Sequence, residues 1–435
     1  MTHRLQASIH ESPLLTSTGR RIRDEVLALV PQIRADAREG ERLGCLPETT
    51  LKALTDLDVF RLSVPPRFGG HALGARDLTE IVTAVARADG SAAWQAMIAS
   101  GFTRVMLTFP DETVEEVYGK AAAWAGPLVA SASLFSERIQ RASRVDGGYL
   151  VHAGGKWAFG SGSKHAGFMV VGVGVEAPDG SVERQMVLLE QGQYEIVDDW
   201  HVMGLSGSSS NSVRVTDDVF VPASRVMPLG GLTDRLDTLH ERFDGIGLSM
   251  DARGLMLIVS LETMAICVGM AEGAFDCFME QTQNKKPFNL DYPSLRETPA
   301  VQVTAGKARS MINAARAMVL DRADYIDRKA VAAEGFSAEE EAAIQMDVVY
   351  AGNLAGQAIE HIQFAIGSAT VALSNPIQRY ARDVRVALTH GSNRLDPSAE
   401  LSGKSIFGLS GSTGMPGIPG VEKAGQPGLQ SQGRS

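Results

Sequence analysis

An α+β chain, ordered as a helical domain, a central antiparallel β domain and a helical bundle, is what the apolar periodicity prescribes. From about 15 to 125, and again from about 250 to 395, apolar residues recur at three and four positions, the spacing of one helix face. Between those stretches they fall in short runs separated by Gly, Pro and Asp turns, the period of strands. The expected divisions are 15–126, 127–230 and 240–410, followed by a tail at 411–435.

The first helical stretch contains "RIRDEVLALVPQIRADAREGERL", "LPETTLKALTDLDVF" and "ARDLTEIVTAVARADGSAAWQAMIASG". "SVPPRFGG" (63–70) breaks it, because two prolines and a glycine pair do not continue a helix. The strand candidates are "ASASLF", "RIQRASRV", "GYLVHAGGKWAF", "GFMVVGVGV" and "ERQMVLLE". "VDGGY" (145–149) carries the Asp-Gly signal of a hairpin. No helix separates these strands, so the sheet should be mainly antiparallel.

In the last stretch, "GLMLIVSLETMAICVGMA" (254–271) carries Glu262 in mid-run and reads as a buried core helix rather than a membrane span. Ser337 and Glu340 form a capping box ahead of another long helix, and such helices pack as antiparallel bundles. "NPIQRYARDVRVALTHGSN" (375–393) is punctuated as one helix. Asn375 caps it, Pro376 suits its first turn, and Gly391 should act as a left-handed stop that leaves His390 at the last position. The Gly- and Pro-rich tail is expected to be disordered.

Composition narrows the function. With 21% charged and 44% hydrophobic residues over 435 positions, the chain is an ordinary globular protein. A formal charge of −10 argues against nucleic acid as a partner. Cys45, Cys267 and Cys277 are too few and too scattered for a disulfide framework or a zinc site, and no metal is expected. The start, "MTHRLQASIHESPLLTS", lacks the apolar region of a secretory signal, so a cytoplasmic location is expected.

Five phrases carry a resemblance: "LSVPPRFGG", "ARADGSAAW", "VDGGYLVHAGGKWAFGSG", "MGLSGSSSNSVRVTDDVFVPASRV" and "RYARDVRVALTH". In this order, over roughly 15 to 410, they resemble the acyl-CoA dehydrogenase superfamily. That resemblance implies a flavin between the β domain and the C-terminal bundle, and a homotetramer. It also bears on the reaction. Typical dehydrogenases of the superfamily place a glutamate, followed by glycine, just after the Arg-Asp helix, whereas this chain has "LTHGSN". A histidine there is similar to the oxygenase components of two-component flavin-dependent monooxygenases. Those proteins take reduced flavin from a partner reductase, form a C4a-hydroperoxide with O2 and transfer one oxygen atom to a substrate. The resemblance implies an aromatic or heteroaromatic substrate, phenolic or indole-like, with nitrogen or sulfur oxygenation also known in the branch. Reduced FMN is the expected cofactor, FAD the alternative.

The resemblance makes His390 and Ser161 the candidate catalytic residues. Histidine suits proton management because it titrates near neutrality, and a helix C-terminus favours its cation. Ser161, in "GGKWAFGSGSKHAG" (154–167), would hydrogen-bond near the flavin N5, with Ser163 a second candidate and Trp157 covering the ring. "GLSGSSSNS" (204–212) is neither a Walker motif nor G-x-G-x-x-G, yet its hydroxyls and amides could hold a flavin phosphate or ribityl chain. Ser208 and Ser209 are therefore further cofactor-binding candidates. Lys285, Lys286 and Arg296 lie where relatives present a basic residue to the flavin phosphates of a neighbouring subunit, and surface charge is the other reading of each. Two other functions compete: a dehydrogenase using Glu262 as base, its pKa raised by desolvation, and a binding protein of the same fold without flavin chemistry.

Overall fold

The computed structural model describes residues 12–120, 123–136 and 138–409, so the tail expected at 411–435 lies outside the described residues. The first helix, α1 (Ser17–Leu43), begins where the Thr16 hydroxyl accepts from Gly19 N at 3.0 Å, and it ends at the left-handed Gly44. α2 (Glu48–Asp56) follows. α3 (Ala75–Ala88) and α4 (Gly90–Met106) meet at Asp89. Its extended backbone ends one helix, and its carboxylate caps the next by accepting from Ala92 N at 3.1 Å. α5 (Asp111–Gly119) completes the first stretch.

Ten strands follow among the described residues: β1 (Val129–Ala132), β2 (Gln140–Val145), β3 (Gly148–Val151), β4 (Lys156–Gly160), β5 (Phe168–Glu176), β6 (Val182–Glu190), β7 (Glu195–Val197), β8 (Asn211–Arg214), β9 (Val219–Pro222) and β10 (Val226–Pro228). The larger sheet runs β10-β6-β5-β2-β3-β9, with β1 also on β5, and a smaller sheet runs β4-β8-β7. A core containing Trp157, Met169, Val171, Leu189 and Val213 lies inside this domain. The Asp-Gly turn forms as expected, with Val145 paired to Gly148 and Gly147 at φ 76°. Pairing is mainly antiparallel, with one departure: β1 and β2 share an edge of β5 and run parallel to it. The chain passes through β4 in the other sheet before β5, which lets it re-enter in the same direction.

The last stretch comprises α6 (Leu232–Asp237), α7 (Leu239–Arg242), α8 (Ala252–Thr282), α9 (Pro299–Ala332), α10 (Ala338–Ile366), α11 (Pro376–Leu388) and α12 (Leu395–Ile406). α8, apolar on every side, is the central helix, packed by α3, α4, α9, α10 and α11. The two helical stretches thus share one core. Glycines permit the close approach of α3 to α8: a Cβ at Gly269 would stand 2.2 Å from Thr83 O. The capping box holds, with Glu340 N donating to Ser337 Oγ at 3.2 Å and Ser337 N to Glu340 Oε2 at 2.8 Å.

The end of α11 departs from expectation. Asn375 caps it, accepting from Ile377 N at 3.0 Å, but the helix stops at Leu388. His390 has left it, at φ −59° and ψ 132°, and Gly391 opens a tight turn, Gly391–Asn393, rather than serving as a left-handed stop. Asn393 N donates to His390 O at 3.0 Å, so a second turn begins where the helix ends.

Candidate active site

α4 enters the site through one face. Residues 94, 98, 101, 102 and 105 stand above one another at helical spacing. Trp94 begins this line, and Ile98, Gly101, Phe102 and Val105 are partly open where most of the helix is buried. Ile98 packs against both the helical core and the β core, so the line runs along their junction. Val259 of α8 flanks it, at 3.6 Å from where a Cβ on Gly101 would lie. The result is a partly open, apolar line along α4 that starts at Trp94.

Trp94 gathers two of the expected residues. Its indole N–H donates to Ser161 Oγ at 3.1 Å. Its ring meets the His390 imidazole edge to face, with centroids 5.6 Å apart and planes at 65°. Ser161 and His390, 229 positions apart by their own numbering, therefore lie against the same indole.

The serine turn supports Ser161 from behind. Leu205 and Ser209 both adopt left-handed backbone, at φ 53° and 54°, which curls the segment tightly. Gly162 N donates to Ser208 O at 2.9 Å and Ser163 N to Ser209 O at 3.2 Å, locking the two loops together. Ser161 Oγ bonds Ser210 Oγ at 2.8 Å, and Ser210 Oγ bonds Ser208 Oγ at 2.8 Å. Ser163 Oγ donates to Ser209 O at 2.8 Å, and Ser209 Oγ accepts from Lys164 N at 3.0 Å. Ser163, Ser208 and Ser209 are thus buried and occupied with this loop-to-loop seam rather than turned toward a ligand. Ser161, 7% exposed, stands at its margin.

Trp157 is also an interior residue. It is 1% exposed and donates from Nε1 to Gly172 O at 2.7 Å, which places it in the β core instead of over a ring. Phe159 has the open position. Its ring is 69% exposed, its backbone is left-handed at φ 59°, and it meets Trp200 edge to face at 6.2 Å. A bulky residue rarely holds that conformation, and such strain gathers at functional sites.

α11 positions both halves. Midway along it, Asp383 Oδ1 accepts from Leu205 N at 2.7 Å, fixing the start of the serine turn. Gly204 lies so close that a Cβ there would stand 2.5 Å from Arg382 O. Tyr380 donates to Arg87 O at 2.7 Å, tying the helix to the end of α3. Burial raises the Asp383 carboxyl to about 7, with the nearby Asp89 adding to the effect.

The protonation of His390 reverses the expectation from the helix end. Its side chain is open to solvent, yet the protein mass around it lowers its pKa by desolvation. Burial outweighs the macrodipole, which acts only within the last turn and not on a residue that has left the helix. A neutral imidazole, able to accept a proton, is the form at neutral pH.

Glu262 lies elsewhere, 0% exposed in the helical core. Ser100 Oγ donates to its Oε2 at 3.1 Å, and Arg104 Nη1 stands 3.7 Å away, an ion pair too long for a hydrogen bond. Burial raises its pKa to about 7, as desolvation predicts, but also seals it from any substrate. Lys285 and Arg296 lie in the segment between α8 and α9. There Lys285 Nζ donates to Ile366 O at 3.5 Å and Arg296 Nη1 to Gln283 Oε1 at 2.6 Å. Among the described residues no cluster of His, Cys, Asp or Glu could hold a metal.

Comparison with known proteins agrees with this architecture. Residues 16–123 match the family model for the acyl-CoA dehydrogenase N-terminal domain, and residues 262–394 that for the C-terminal domain. The chain is 29% identical over 382 residues to HsaA, the oxygenase subunit of a flavin-dependent monooxygenase from Rhodococcus jostii, covering 88% of this chain and 97% of that one. It is 25% identical over 410 residues to the oxygenase component of an FADH2-dependent resorcinol hydroxylase from a Rhizobium strain, covering 91% and 96%. Two solved structures share its fold. XiaF from Streptomyces, in complex with FADH2 and glycerol, superposes with a TM-score of 0.80 at 24% identity, covering 90% of this chain and 96% of that one. TdsC from Paenibacillus, with FMN and indole, does so at 0.75 and 20% identity, covering 92% and 99%.

Proposed function

Because this chain is an acyl-CoA dehydrogenase-fold protein whose relatives over most of its length are oxygenase components of flavin-dependent monooxygenases, we propose that it hydroxylates a small aromatic or heteroaromatic molecule, phenolic or indole-like, using reduced flavin delivered by a separate reductase. One observation carries the reading. Trp94 brings a hydroxyl, Ser161, and a neutral imidazole, His390, to one indole, and the resemblance puts a dehydrogenase's carboxylate base near that histidine.

The residues present fit a flavin. Phe159 offers an exposed aromatic face, and Ser161 offers a hydroxyl two residues on, against Trp94. When bound, reduced flavin supplies the two electrons that split O2, one oxygen atom entering the substrate and the other leaving as water. Ser161 holds the flavin edge by a hydrogen bond. His390 accepts the proton of a substrate hydroxyl or ring N–H, which makes the aromatic carbon electron-rich. Ile98, Phe102 and Val105 wall the substrate with apolar surface and exclude water.

The substrate class is supported by that apolar wall, by the resorcinol hydroxylase among the relatives and by the indole bound to TdsC. FMN is our choice of flavin, and FADH2, named for XiaF and the resorcinol hydroxylase, is the alternative. A homotetramer in the cytoplasm completes the proposal. The exposed Val303, Val331, Tyr350 and Phe364 on α9 and α10 supply apolar surface for a second copy.

The test supplies reduced FMN or FADH2 to the protein with 18O2 and a panel of phenols and indoles. A product carrying one 18O atom supports the proposal. Return of all the oxygen as hydrogen peroxide, together with bleaching of bound oxidised flavin by an acyl-CoA, contradicts it.

A further inference from the structure

β2, β3 and β9 lie side by side in the larger sheet, and their register brings together three side chains that the site above does not use. Ala142 pairs with Val151 and Val151 with Val219, and all three pack toward the β core. Alternation turns the next residues outward: Ser143 on β2, His152 just beyond β3 and Asp218 just before β9. Ser143 Oγ and His152 Nε2 share a hydrogen bond of 2.7 Å. Asp218 Oδ2 stands 3.7 Å from His152 Nδ1, too long for a hydrogen bond, while its Oδ1 accepts from Ala153 N at 2.8 Å.

These neighbours decide the tautomer of the ring. A carboxylate facing Nδ1 favours the hydrogen there, which leaves Nε2 to accept from the Ser143 hydroxyl. The order hydroxyl, Nε2, Nδ1, carboxylate is that of a serine nucleophile, its base and an orienting acid. Arg141, two residues before Ser143 on the same exposed face, makes no ion pair among the described residues and is long enough to meet an oxyanion formed at Ser143. Leu150 pairs with Ser143, and Phe220, 47% exposed, pairs with Leu150, so an apolar shelf continues the row.

We propose that Ser143 and His152, oriented by Asp218, form a second catalytic centre that cleaves small aryl esters. Ser143 Oγ attacks the ester carbonyl, its hydrogen passes to His152 Nε2, and the bond to the aryl oxygen breaks as that oxygen takes the proton. Water then cleaves the acyl-serine, releasing the carboxylic acid and restoring the hydroxyl. Asp218 is a positioning residue. The reaction uses no flavin and stands apart from the functional reading above.

The full chain, without flavin, is incubated with para-nitrophenyl acetate while nitrophenolate release and the acetylated peptides are followed together. Acetyl should appear on Ser143. Hydrolysis should fall about 10-fold in Ser143→Ala and His152→Gln, and roughly 2- to 5-fold in Asp218→Asn and Arg141→Gln. None of the four side chains belongs to the core, so circular dichroism should be unchanged in every variant. Nitrogen NMR of histidine-labelled protein should find His152 protonated on Nδ1, shifting toward Nε2 in Asp218→Asn. Acetyl confined to lysines, or wild-type hydrolysis by Ser143→Ala, overturns the proposal. A wild-type His152 protonated on Nε2 overturns the role of Asp218.

Discussion

The rings of Trp94 and His390 meet edge to face, 5.6 Å between centroids, although one lies on α4 and the other beyond the end of α11. The contact is maintained from a distance. Asp89 caps α4, Tyr380 anchors α11 to the end of α3, and Asp383 ties α11 to the serine turn. The imidazole is consequently held against the same indole that donates to Ser161.

Replacing His390 by alanine should leave the fold intact, since its side chain is exposed and outside the core. Product formed per flavin oxidised should fall by roughly 10²-fold or more, the usual worth of a positioned acid–base group. Hydrogen peroxide should rise in compensation, measured alongside product in the same assay.

The pH dependence follows from the lowered pKa of His390. The neutral imidazole persists below the ordinary histidine range, so product yield should hold level as pH falls from 8 through about 6.5. Decline should begin only below that. The stability contribution has the same sign: it is present above the unfolded pKa and lost as pH falls toward the folded one. A yield that halves near pH 6.5 would contradict this.

Much of this architecture is legible in the sequence, and the departures from it have local causes. The order of helices and strands follows from periodicity, and α8 reads as central because it is apolar on all sides. Trp94 is not legible as a site residue, since an indole on an apolar helix face reads as core and its bond to Ser161 spans 67 positions. Trp157 and Phe159, two apart on β4, would share a face in a regular strand. A register shift between Trp157 and Gly160, with Phe159 left-handed, sends one ring inward and the other out. The charge on His390 depends on burial by other elements, which no single helix discloses.

Asp383 should make the protein more sensitive to alkali. Its pKa is raised to about 7 in the fold, so its contribution is present below the unfolded carboxylate range and is lost as pH rises through about 7. Asp383→Asn keeps an oxygen for Leu205 N and removes the buried charge. Its melting temperature should fall less between pH 6 and 8.5 than that of the wild type, as differential scanning calorimetry would show.

Glu262→Gln separates the two chemistries of the fold. The carboxyl is sealed in the core beside Ser100 and Arg104, so its replacement should leave product yield within about twofold of wild type. A collapse of turnover in this variant would return Glu262 to the reaction.

The central claim is tested most directly by mixing the protein bound to reduced FMN with oxygenated buffer in a stopped-flow spectrophotometer. The account predicts a transient absorbing species, distinct from both reduced and oxidised flavin, that is shortened in Ser161→Ala and His390→Ala. Direct appearance of oxidised flavin in the wild type, with no intervening phase, would contradict it.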